Sequence, residues 1–157
     1  MTNFITNSDQ KDLKKRLTLL IKNSDKLKFL VGFFYFSGIR ELYEGMKNNP
    51  EVSLDILVGL NVDSGVYGIV EHGNQDSELS REEVSYNFME SVKKSLNTES
   101  FDTEEFYEQV FYFVNLIKSD KLRIRKTTSP NHAKLYIFKL KESQVAKHRF
   151  ITGSSNL

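Results

Sequence analysis

Two short apolar runs separated by one amphipathic stretch constrain this chain more than any other feature. Phe29 to Phe36 (FLVGFFYF) is continuous and of strand length, as a strand covered on both faces requires. Leu54 to Leu60 (LDILVGL) is a second run of the same kind. Between them Ile39, Leu42, Tyr43 and Met46 recur at helical spacing, with Ser37 as candidate N-cap and Asn48, Asn49 and Pro50 as the stop. Strand, helix and strand in so few residues make a βαβ unit, whose strands are parallel neighbours.

The flanking sequence extends this pattern. Leu13, Leu17, Leu20 and Ile21 fall on one face of an amphipathic first helix. Residues Asn61 to Leu79 are rich in Gly, Ser, Asn and Asp and read as a long irregular connection. Two helices are predicted next. One starts at Ser80, with Glu83 closing a capping box and Val84, Phe88, Val92 and Leu96 as its stripe; the other starts at Asp102, with Glu105 as box partner and Phe106, Val110, Phe113, Val114 and Ile117 as its stripe. The last third is strand-like: Lys121 to Lys126, a turn over Thr127 to Asn131, His132 to Leu140, and Arg149 to Thr152. The expected fold is therefore α/β: one domain over residues 1–157, with a mixed, mainly parallel sheet, helices on both faces, and a site at the carboxyl ends of its strands.

Composition narrows the chemistry. With no cysteine there is no thiolate nucleophile, no disulfide framework and no Cys-type zinc site. The first residues carry no signal-peptide pattern, and the longest apolar run is too short to cross a bilayer, so a cytoplasmic location is expected. A net charge of +1 hides a segregation. Glu71 to Glu108 holds eleven acidic residues against three basic, whereas Lys118 to Arg149 holds ten basic against two acidic. Two solvated faces of opposite sign explain this, and so does a basic surface for a polyanion in the last third.

That third also holds the chemistry. His132 and Lys134 stand two apart in HAKLYIFKL, so period two puts both on one side of the chain with Tyr136. Downstream, Gly153-Ser154-Ser155-Asn156 closes the next strand. Alone, each motif is weak; a His-x-Lys arises by chance and Ser-Ser-Asn suits a turn. Together, an imidazole, an ammonium and a cluster of hydroxyl, amide and backbone N–H donors make a phosphate site that contains a nucleophile. A Gly before the serines lets backbone approach an oxyanion.

His-x-Lys followed by Gly-Ser-x-Asn, here HAKLYIF and FITGSSN, resembles the signature of the phospholipase D superfamily. VGFFYFSGIRELYEGM with LDILVGLNVD resembles that superfamily's opening βαβ unit, and residues 101–138 resemble phospholipase D-like modules on the amino-terminal side of bacterial superfamily-two helicases. The resemblance implies that His132 attacks phosphorus to form a phosphohistidine without a metal or other cofactor. It implies that Lys134 holds non-bridging oxygens and that Ser154 and Asn156 complete the cradle. Such sites use two motifs, so a chain with one is expected to form a homodimer that brings two copies of His132 together.

Two features depart from the family pattern. Lys139 stands where the fuller motif has Asp, and the family's His-orienting carboxylate, on a further helix and strand, is not seen before Leu157. The chain is thus expected to be the amino-terminal part of a longer polypeptide. Arg123, Arg125, Lys126 and Lys139 flank the motif and favour nucleic acid, DNA in the first instance, through backbone attraction. The first functional expectation is a nuclease-type phosphodiesterase of a restriction or defence helicase. The alternative is a catalytically silent module that binds nucleic acid or docks the helicase; phospholipid hydrolysis ranks third. His72 and His148 read as surface histidines.

Overall fold

The structure, a computed structural model, describes residues 12–74, 90, 92–93, 103–142 and 144–154. In chain order its elements are α1 (Leu13–Lys22), β1 (Ser24–Phe34), α2 (Phe36–Lys47), β2 (Ser53–Val62), α3 (Ser64–Asn74), α4 (Glu104–Lys118), β3 (Leu122–Lys126), β4 (Leu135–Leu140) and β5 (His148–Thr152). The five strands form one mixed sheet in the order β3-β2-β1-β4-β5. β1, β2 and β3 are parallel, while β4 and β5 run antiparallel to their neighbours. The α/β class and the mixed, helix-flanked sheet match the expectation; the described helices α2, α3 and α4 gather on one of its faces.

The topology follows from crossover handedness. β1 to β2 and β2 to β3 step in the same direction, so two right-handed crossovers bring α2, α3 and α4 to one side. Phe36 meets Phe106 edge-on, Tyr43 meets Tyr112, and Arg40 bonds Gln109, which ties α2 to α4. On the sheet, Leu27, Phe29 and Val31 align with Leu54, Ile56 and Val58, and all six are buried. Tyr136 and Phe138 continue this layer, each packing edge-on against Phe29. The alternate residues Lys28, Leu57, Arg123, Arg125, Lys139 and Phe150 are exposed, so the second sheet face is the more open among the described residues.

Several local expectations are corrected. Ser37 does not cap α2; Tyr35 occupies the N-cap without a side-chain bond, and Asp63 supplies the oxygen that Phe36 N–H needs, at 2.6 Å. Asp63 also accepts from Val66 N–H at 2.8 Å, so one carboxylate serves the amino ends of two helices. The stretch expected to be an irregular connection in fact continues β2 to Val62 and then forms α3, with Val66 and Ile69 buried. α4 is capped by Thr103, whose hydroxyl accepts from Phe106 N–H, and Glu105 instead accepts from Gln109 Nε2. The expected helix from Ser80 lies outside the described residues apart from a few positions, among them Val92, which is buried.

Candidate active site

The candidate site is built where the chain leaves β3 and crosses the carboxyl ends of β2 and β1. Thr127 N–H donates to Val58 O and Asn131 N–H to Gly59 O, which holds the turn over the end of β2. Asn131 Oδ1 then accepts from Ala133 N–H at 2.7 Å and redirects the chain toward β4. β4 therefore begins at Leu135 rather than at His132, because residues 131–134 are crossing strand ends instead of pairing. The expected alternation persists through the crossing, with Lys134, Tyr136, Phe138 and Leu140 all buried.

Two glycines make the crossing possible. A Cβ on Gly59 would lie 1.8 Å from Asn131 O, and one on Gly32 would lie 2.7 Å from His132 Cδ2. Both follow a valine, and Val31 pairs with Val58, so the glycines sit side by side where the β1–β2 register shifts. They form the floor on which Asn131 and His132 rest. Sequence reading passed over them, although Leu-Val-Gly recurs at 30–32 and 57–59.

His132 is exposed, and Phe33 meets its ring edge-on at 5.9 Å and 82°. Lys134 is only 6% exposed. Its Nζ lies 3.1 Å from His132 Nε2 and 3.2 Å from His132 O. An ammonium only donates, so in this contact Nε2 is the acceptor. Among the described residues no carboxylate pairs with Lys134 or with His132. A charge this buried, with no described carboxylate beside it, is an unusual state. Beneath it Tyr136 has its hydroxyl pushed up to about 12 by burial alone, so that layer stays neutral.

β5 pairs with the first residues of β4. Leu135 pairs with Thr152, and Thr152 Oγ1 donates to Lys134 O at 3.0 Å. Ser154 follows two residues later and is exposed, while Asn156 lies outside the described residues. A Cβ on Gly153 would meet nothing within 4 Å among the described residues, so none of them demands a glycine there.

The flanking cations divide. Arg125 and Lys126 are exposed at the carboxyl end of β3, the same edge of the sheet as His132. Arg123 is bound to Asp55, Nε to Oδ1 at 2.6 Å, and faces Asp120 at 3.6 Å. Lys139 lies five residues beyond Lys134 on β4, about 17 Å along the strand at ~3.3 Å per residue. His72 stands on α3, its imidazole held below the ordinary value by burial and by Lys118. His148 is exposed on β5. Among the described residues no cluster of three or more His, Asp or Glu side chains is placed to hold a metal ion, and no helix is long and apolar enough to cross a membrane.

Comparison of the chain with protein-family models, with curated proteins and with solved structures finds no match in any of the three.

Proposed function

We propose that this domain is a phosphodiesterase acting on nucleic acid, with His132 as nucleophile and Lys134 as the phosphate anchor. One observation carries this reading. Lys134 is a buried ammonium with no carboxylate among the described residues, and its Nζ touches the imidazole nitrogen that would attack. A buried, uncompensated cation is costly until an anion arrives. A phosphodiester supplies that anion, and its non-bridging oxygens draw the ammonium off Nε2 and free the nitrogen's lone pair. Nε2 then forms a bond to phosphorus as the ester oxygen leaves with a proton from a general acid. Water next attacks phosphorus, the N–P bond breaks, and the imidazole is regenerated.

This chain supplies one imidazole per motif, so we assign the general acid to the His132 of a second copy across a two-fold axis. The domain should cleave a labelled oligonucleotide with a chelator present, and His132→Ala should abolish turnover without lowering the thermal midpoint. Cleavage that survives His132→Ala would overturn the assignment.

A second reading has its own support. Among the described residues no carboxylate orients the His132 ring. A site lacking that partner would bind phosphate and not turn over, as a docking module for nucleic acid does. Oligonucleotide binding that depends on Lys134, with no cleavage by the full-length polypeptide, would select it.

A further inference from the structure

The neighbourhood of His132 contains an aromatic pair that phosphate chemistry does not use. Phe33 and Tyr35 stack with centroids 6.2 Å apart and planes 13° from parallel. Phe33 presents this stack to the His132 ring at 5.9 Å. Tyr35 is 45% exposed, at the point where β1 ends and α2 begins. The two rings alternate with Phe34 and Phe36, which are fully buried, so the chain sends two aromatics into the core and leaves two at the site.

The geometry points to Phe33 and Tyr35 as a stacking platform for an unpaired base next to the scissile phosphate, which makes the substrate single-stranded nucleic acid. This inference rests on the phosphodiesterase reading of the same site. A phosphate seated on Lys134 places its flanking nucleoside beside the His132 ring, against which Phe33 lies with Tyr35 stacked on it. A duplex keeps its base faces covered by their neighbours and cannot offer one to a protein ring. An unpaired strand can, and stacking of this kind accepts any base. Arg125 and Lys126 stand at the same sheet edge, two strands away on β3, roughly 10 Å at ~4.8 Å per strand. They extend the path for the strand's backbone without reading its sequence.

The test compares two single-stranded oligomers of equal length and charge, a thymidine oligomer and an abasic sugar-phosphate oligomer. Binding is measured at fixed salt with the full-length His132→Ala protein, so that cleavage cannot intervene. The thymidine oligomer should bind roughly 10-fold or more tightly than the abasic one. Adding Tyr35→Ala should remove most of that preference and leave abasic binding unchanged, while Tyr35→Trp should keep or enlarge it. A matching duplex should bind more weakly than the thymidine strand. Equal binding of both oligomers, or an equal loss on both with Tyr35→Ala, overturns the stacking platform alone. Failure of the protein to bind either oligomer overturns the platform together with the nucleic-acid reading. Cleavage by the protein that retains His132 is scored separately, so a silent module with a working platform remains distinguishable.

Discussion

The two ends of the sheet handle buried polar groups in opposite ways. At the amino ends of β1 and β2, Asn49 Nδ2 donates to Ile21 O at 2.8 Å and to Ser24 O at 2.7 Å, while Ser24 Oγ donates to Leu20 O at 2.6 Å. Lys141 N–H bonds Asn23 O. Each of these groups answers a backbone atom of the protein itself, so that end is finished. At the carboxyl ends, Lys134 is also buried, yet its acceptors are a ring nitrogen and a carbonyl two residues away. Burial with no described carboxylate at one end, and backbone pairing at the other, is the contrast expected between a group that awaits an anion, as proposed for Lys134, and one that serves the fold.

The sharpest break between the two ends should come from Lys134→Met. The substitution keeps an unbranched side chain in the same space and removes a buried charge that no described carboxylate pairs, so the thermal midpoint should hold or rise. Turnover of an oligonucleotide should fall by on the order of 10³-fold, as when a transition-state donor is deleted. Thermal unfolding and initial rates on the same preparation check both halves. A lowered midpoint with unchanged turnover would make Lys134 a structural residue like Asn49.

The glycine floor allows a finer cut within the carboxyl end. Gly59→Ala drives a Cβ into a backbone carbonyl at 1.8 Å, which cannot move without loosening the crossing. A loss above about 2 kcal/mol is expected from such a forced shift. Gly32→Ala meets a side-chain carbon of an exposed histidine, which can rotate away. Its stability should change by less than about 1 kcal/mol, while turnover should fall by roughly 10²-fold because the proposed nucleophile is misplaced. Equal losses of stability in the two variants would mean that the floor supports the fold alone.

Asn49→Ala tests the amino end. It removes the amide bonds to Ile21 O and Ser24 O, at about 2 kcal/mol for groups this buried, or roughly 4–8 °C in a chain of this size. Turnover per folded molecule should not change. A selective fall in turnover would connect the two ends and break the contrast.

How much of this could be read beforehand depends on the range of the interaction. The strands, the alternation through Lys134 and Tyr136, and the stripe of α4 are period-two and helical patterns within a few residues, so the sequence displays them. The proximity of His132 Nε2 and Lys134 Nζ follows from the same i, i+2 spacing. α3 escaped because Gly65, Gly68 and Gly73 made its segment look like a loop, although Val66 and Ile69 stand three apart on one buried face. Its start depends on Asp63, whose second partner, Phe36 N–H, lies 27 residues back. The glycine floor is less legible still: Gly59 meets Asn131 only after three strands have assembled, and no local rule pairs them.

The smallest effect belongs to the middle of the sheet, between the two ends. Asp55 on β2 accepts from Arg123 Nε at 2.6 Å and lies 3.2 Å from Lys26 Nζ, which joins β1, β2 and β3 across the more open face. The Arg123 guanidinium, with Lys26 in support, holds the Asp55 carboxyl below the usual carboxylate range. Because the folded value lies below the unfolded value near 3.9, the contribution is present above about pH 4 and is lost as pH falls through the folded value. Arg123 is 42% exposed, so solvent screening keeps the contribution below about 1 kcal/mol. Asp55→Asn should therefore lower the thermal midpoint by no more than about 4 °C at pH 7. That difference should shrink toward zero in acid and also at high salt, where an exposed pair is screened. Glu108, held low by Lys47 and Tyr43, titrates in the same direction and stays intact in this variant, so the difference curve isolates Asp55. Turnover at neutral pH should be untouched, because Asp55 makes no contact with His132 or Lys134. An Asp55→Asn protein with a pH-independent deficit would show that the carboxylate acts through packing and not through its charge. One with impaired turnover would extend the site onto the open sheet face.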